Sequence, residues 1–234
     1  MALLPTGDGL APGNDRRAAC GEDLDDLAAR MSACRICRDN PLGGEARRLP
    51  HEPRPVFVLS DKALILICGQ APGTRVHASG RPFSDPSGER LRSWLGVTGR
   101  EFYDPERFAI VPMGLCFPGL DSKGGDLPPR RECVSTWHER VMAAMPQLRL
   151  VVSIGQYAQR FHLQRRWRGT LTATVSAWQD IVAENSGRIM HVPLPHPSWR
   201  NNGWLKKNPW FEAELLPFLQ KTVKDCLPEV PRPS

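Results

Sequence analysis

The chain is predicted to be an α/β protein, a three-layer α/β/α sandwich with a central four-stranded parallel sheet. Three observations predict it. Four short apolar runs, at residues 63–68, 108–112, 150–154 and 189–192, have the length and β-branched content of strands buried on both faces. Helical patterns lie between them, and strand–helix alternation is the mark of a parallel sheet covered on both sides. Gly- and Pro-rich segments follow the first and last runs, at the rim where open α/β sheets assemble their sites.

Taken in order, residues 1–20 carry Gly, Pro, Asp and Asn without periodicity and read as a flexible tail. A single domain is expected over residues 21–227, with a second tail at 228–234. The first helix is expected over residues 22–33, with Asp23 and Asp25 as capping candidates. Further helical patterns run over residues 87–95, 130–144 and 156–161, each between two strand candidates or after one. A last helix is expected over residues 209–226. Right-handed crossovers between four such strands give a compact sandwich.

Composition excludes several classes. Of 234 residues 41% are hydrophobic, enough for a core, yet no apolar run approaches the roughly 20 residues that span a bilayer. The first 17 residues lack the basic-then-apolar order of a secretory signal. Seven cysteines, an odd number, fit a reducing compartment. The net charge of +6 suits a polyanionic partner.

Three segments carry chemistry. Gly69-Gln70-Ala71-Pro72-Gly73 follows the first strand candidate and read alone is a tight turn. Gly80-Arg81-Pro82-Phe83-Ser84-Asp85-Pro86-Ser87-Gly88 follows it, with Phe83 a core candidate and Asp85 a candidate helix cap. His196-Pro197-Ser198 follows the last strand candidate and leads into a stretch where Trp199, Arg200, Trp204, Lys206, Lys207 and Trp210 interleave bulk with positive charge. Trp204, Trp210 and Phe211 also suit docking of the last helix, and residues 164–168 read as a solvated basic helix end. Cys34 and Cys37 form a C-x-x-C, and Cys116 and Cys133 a later pair. Those four thiols suit a 4Fe–4S cluster, a tetrahedral zinc or no metal at all, whereas Cys20, Cys68 and Cys226 read as plain thiols.

In this order the first and third segments resemble motifs A and B of the uracil-DNA glycosylase superfamily, and the cysteine spacing is similar to that of its iron–sulfur families 4 and 5. The resemblance covers residues 34–219 and implies the same sandwich fold. It implies backbone contacts from Gly69, Gln70 and Ala71 to the base, and stacking of Phe83 on an extruded base. His196 would donate to the uracil oxygen as charge develops there. Motif A departs from the relatives, because Gln70 and Ala71 stand where families 4 and 1 place a Glu and an Asp. Asp85-Pro86-Ser87-Gly88 fits the Asp-x-Ser-Gly of family 5, which makes Asp85 the acidic partner. Ser87 and Gly88 would receive a DNA phosphate, and Ser198, Trp199 and Arg200 would enter the duplex. Pro112 stands where the relatives read the uracil edge with an Asn, so hypoxanthine or another deaminated base stays open beside uracil. The four cysteines would hold a structural 4Fe–4S cluster, with no catalytic metal.

The implied function is DNA repair, with hydrolysis of the N-glycosidic bond of uracil or another deaminated base to leave an abasic site. The alternative is a uracil- or abasic-DNA binder of the same superfamily with little turnover, and a third reading is a metal–sulfur regulator. The expected partner is DNA, for a cytoplasmic, nucleoid-associated monomer that meets no membrane.

Overall fold

In the computed structural model, which describes residues 22–184, 187 and 189–227, four parallel strands form one sheet. They are β1 (Ile65–Cys68), β2 (Phe108–Ile110), β3 (Leu150–Ile154) and β4 (Met190–Leu194), in the order β2-β1-β3-β4. The tails expected at residues 1–20 and 228–234 lie outside the described residues.

Side chains alternate across this sheet with period two, and each face builds its own core. Ile65, Ile67, Ile110, Leu150, Val152 and Val192 point to one side. They meet Leu91, Trp94 and Leu95 from the helix Pro86–Leu95, and Leu219 and Val223 from the helix Leu216–Cys226. Leu66, Ala109, Val111 and Val151 point to the other side, against Leu27 and Met31 of the helix Leu24–Ser32 and against Trp137 and Val141. The result is the expected three-layer sandwich.

Most elements form where expected, and their ends have local causes. Asp23 caps the first helix by accepting from the N–H groups of Asp25 and Asp26. β2 stops at Ile110, two residues short of expectation, and Pro112 beyond it has no N–H to donate to a ladder. β4 runs on to Leu194 through Pro193, which is tolerated because β4 is an edge strand. Short helices at Thr74–Ser79, Gly99–Phe102, Leu171–Ser176, Trp178–Ala183 and Asn202–Lys207 escaped the periodicity argument because each is under two turns long. The helical stretch at residues 131–144 contains a π-turn, Val134–His138, between its two α segments. Such turns recur at functional sites.

The strand order sets the site. β1 is central, with β2 on one side and β3 on the other, so the chain reverses direction across the sheet at the carboxyl end of β1. Crevices open at such switch points.

Candidate active site

Gly69 and Gln70 leave β1 with their carbonyls fixed, accepting from Met113 N at 2.9 Å and from Gly114 N at 2.9 Å. Among the described residues the N–H groups of Gln70 and Ala71 have no protein acceptor, so the turn offers donors to the crevice. A Cβ added to Gly69 would stand 3.3 Å from Phe83 Cζ, and glycine there lets the aromatic ring lie against the backbone.

Phe83 is held in a strained conformation. Its φ is 51°, in the left-handed region that costs a non-glycine residue about 1–3 kcal/mol. Three neighbours enforce it. Tyr103 donates its hydroxyl to Phe83 O at 2.9 Å and to Pro82 O at 3.0 Å, and Arg92 donates to Phe83 O at 3.3 Å. Gly88 packs directly beneath the same carbonyl. The ring rests edge-on against Phe102 at 6.0 Å between centroids and keeps its other surface on the cleft.

Asp85 combines two positions. It is the N-cap of the helix Pro86–Leu95, where Oδ1 accepts from Ser87 Oγ at 2.7 Å and from Gly88 N at 3.2 Å. It also lines the cleft. Ser87 and Gly88 are buried, with these donors engaged by Asp85.

His196 sits just past β4, its carbonyl accepting from Asn201 Nδ2 at 2.7 Å. Burial pushes its imidazole below the usual 6.5, against the opposing pull of Asp85 and Asp126, while Arg200 adds to the lowering. The ring is consequently neutral near pH 7, and a neutral imidazole donates one N–H without competing positive charge. Chemistry that needs this form is expected to run at a level rate from about pH 8 to about pH 7 and to fall only in acid. A pH–rate profile checks it, and a decline beginning on the alkaline side would contradict the neutral-donor role.

One cleft of about 80 Å³ gathers Gly69, Gln70, Ala71, Phe83, Asp85 and His196, together with Pro112 and Asp126. At about 30 Å³ per water that is room for two or three water molecules, the scale of a single flat ring. Asp126 escaped the sequence reading because it lies in an aperiodic Gly- and Pro-rich loop, Gly124-Gly125-Asp126-Leu127-Pro128-Pro129. Asp121 shapes this loop by accepting from Lys123 N and Gly125 N, both at 2.8 Å.

A groove continues outward from the cleft. It shares Gln70, Ala71, Asp85, Ser87, Asp126 and His196 and runs on along Arg75, Arg90, Ser198, Trp199 and Arg200. Arg90 ties its far wall by donating to Ser198 O at 3.1 Å and to Asn202 Oδ1 at 2.8 Å. Trp199 is 70% exposed at the edge, with the Arg200 guanidinium 5.9 Å from its ring centre. Trp204, Trp210 and Phe211 instead pack edge-to-face on one another and join the core, which is the helix-docking role.

Cys34, Cys37, Cys116 and Cys133 come together away from the cleft, all as free thiols. Burial, then mutual repulsion, pushes Cys116 up to about 12, and burial does the same to Cys133. Leu115 N donates to Cys133 Sγ at 3.5 Å, and Arg54 lends a backbone N–H to Cys116. This is a donor set that metal charge would relieve. Among the described residues only Cys68, His138 and His162 bring three ligand atoms within 4.8 Å of one another. The Cys68 trio has a spacing one metal ion can bridge, and burial pushes its thiol up as it does those of Cys116 and Cys133. No helix among the described residues is long and apolar enough to cross a membrane.

Residues 57–220 match the family model described as the uracil DNA glycosylase superfamily.

Proposed function

The chain belongs to the uracil DNA glycosylase superfamily, and we propose that it hydrolyses the N-glycosidic bond of uracil, or of another deaminated base, in DNA. The product is an abasic site, which opens base excision repair. The observation that supports this most is the meeting of Phe83, Asp85 and His196 in one cleft of nucleobase size.

Breaking the bond between C1′ and the base leaves positive charge on the sugar and negative charge on the departing ring. In the proposed reaction the extruded base stacks on Phe83 and takes hydrogen bonds from the free N–H groups of Gln70 and Ala71. His196 donates to the oxygen where the negative charge collects. Asp85, fixed by its two capping donors, supplies negative charge near the sugar. Arg75, Arg90 and Arg200 follow the phosphates along the groove, with Ser198 beside them. Exposed Trp199 fills the space the base vacates. A monomer built on one domain suffices for this chemistry.

Cys34, Cys37, Cys116 and Cys133 would hold a 4Fe–4S cluster, which would tie the N-terminal segment to the sheet and take no part in base removal. Anaerobically purified protein is expected to contain about four irons and four acid-labile sulfides per chain. Iron-free protein with a full complement of zinc would reassign the quartet.

The test of function is an excision assay on single- and double-stranded oligonucleotides carrying uracil, hypoxanthine or xanthine, followed by alkaline cleavage at abasic sites. Multiple turnover is expected on at least one base. Gel shifts without cleavable product would favour the binding protein, a reading supported by the missing motif A acid at Gln70 and Ala71.

A further inference from the structure

A hydrolytic reading requires more than a donor for the leaving base, because water must also be held and relieved of a proton. Neither Gln70 nor Ala71 can do this, and Asp85 already gives one oxygen to the helix cap. Asp126 is differently placed. It lines both the cleft and the groove that leads into it. Among the described residues its carboxylate makes no hydrogen bond and no ion pair, although His196 feels its charge.

The loop that carries Asp126 is docked on the motif A turn. Gln70 Nε2 donates to Leu127 O at 3.5 Å, and Leu127 N donates to Gly119 O at 2.9 Å. Asp126 itself pairs with Leu120 in an isolated antiparallel bridge. A Cβ added to Gly73 would stand 3.6 Å from Asp126 Oδ2, so the carboxylate reaches over the same turn whose own side chains lack an acid.

Resting on the proposed reaction above, we infer that Asp126 is a catalytic residue: its carboxylate orients the attacking water and accepts its proton. The water oxygen bonds to C1′ as the bond from C1′ to the base breaks, and the electron pair of that bond leaves with the base. The proton passes from water to Asp126 and then to the base anion. Asp85 and Asp126 thus divide the work. The first is rigid and stabilises charge, and the second is free to exchange a proton.

The experiment compares wild type, Asp126→Asn and Asp126→Glu in single-turnover excision at saturating protein. It adds gel shifts on an oligonucleotide whose 2′-fluoro uridine resists cleavage, and thermal melts. Asp126→Asn is expected to excise at least about 100-fold more slowly while binding within about threefold of wild type and melting unchanged. Asp126→Glu, which keeps the carboxylate, is expected to retain more activity than Asp126→Asn. An Asp126→Asn rate within about threefold of wild type overturns the inference, as does a loss confined to binding. A Glu variant no better than Asn also overturns it and covers the case of a damaged loop. Wild type that excises no base at all would sink the function itself, and shows before any variant is compared.

Discussion

Changing His196 to Ala is expected to slow base excision by about 10²- to 10³-fold while leaving the melting temperature unchanged. The size follows from where charge goes. The departing base carries a full negative charge, and a positioned donor in a water-poor cleft is worth far more to that charge than to the neutral base. Burial holds the imidazole below its usual 6.5, so the donor stays neutral. Asp85 and Asp126, which line the same cleft, oppose that lowering. Stability should be spared, because His196 is only partly buried and its carbonyl, which Asn201 holds, remains in the variant. Single-turnover kinetics on a uracil oligonucleotide checks this. A His196→Ala rate within about threefold of wild type would remove the residue from the reaction.

Gly88→Ala is expected to lower the melting temperature by roughly 6–12 °C, from a loss of about 3 kcal/mol. Ordinary helix energetics predict the opposite sign, because Ala is favoured over Gly in a helix by about 1 kcal/mol. Here the added Cβ would overlap Phe83 O and lie 2.7 Å from Phe83 C, which are backbone atoms and cannot rotate away. The Phe83 peptide would have to move, taking with it the hydrogen bonds from Tyr103 and Arg92 and the ring itself. Excision should therefore fall together with stability. Gly99→Ala is the control, since nothing lies within 4 Å of its added Cβ. A Gly88→Ala protein as stable as wild type would mean that the strained Phe83 conformation is not built on this contact.

Much of this was legible in the chain because period and punctuation are local. The four apolar runs led to the four strands; the end errors at β2 and β4 involve Pro112 and Pro193, and β1 and β4 also start at Ile65 and Met190, later than expected. Trp204, Trp210 and Phe211 dock the last helix, the role their apolar spacing allowed. Asp85 caps its helix and also borders the cleft, so its two candidate roles coexist in one side chain.

The sequence by itself determined the sandwich and the order of the segments at its rim, because alternation of strand and helix and the residues that break them are written in neighbouring positions. Only the tertiary structure decided which side chains share the cleft. Asp126 reaches it from an aperiodic loop, through contacts with Gln70 and the backbone beside Gly73 that no spacing encodes. It also decided that Phe83 is strained, since that φ is imposed by Gly88, Arg92 and Tyr103 closing on one carbonyl. Contacts between residues distant in sequence arise only when the chain is folded, and a local pattern carries no record of them.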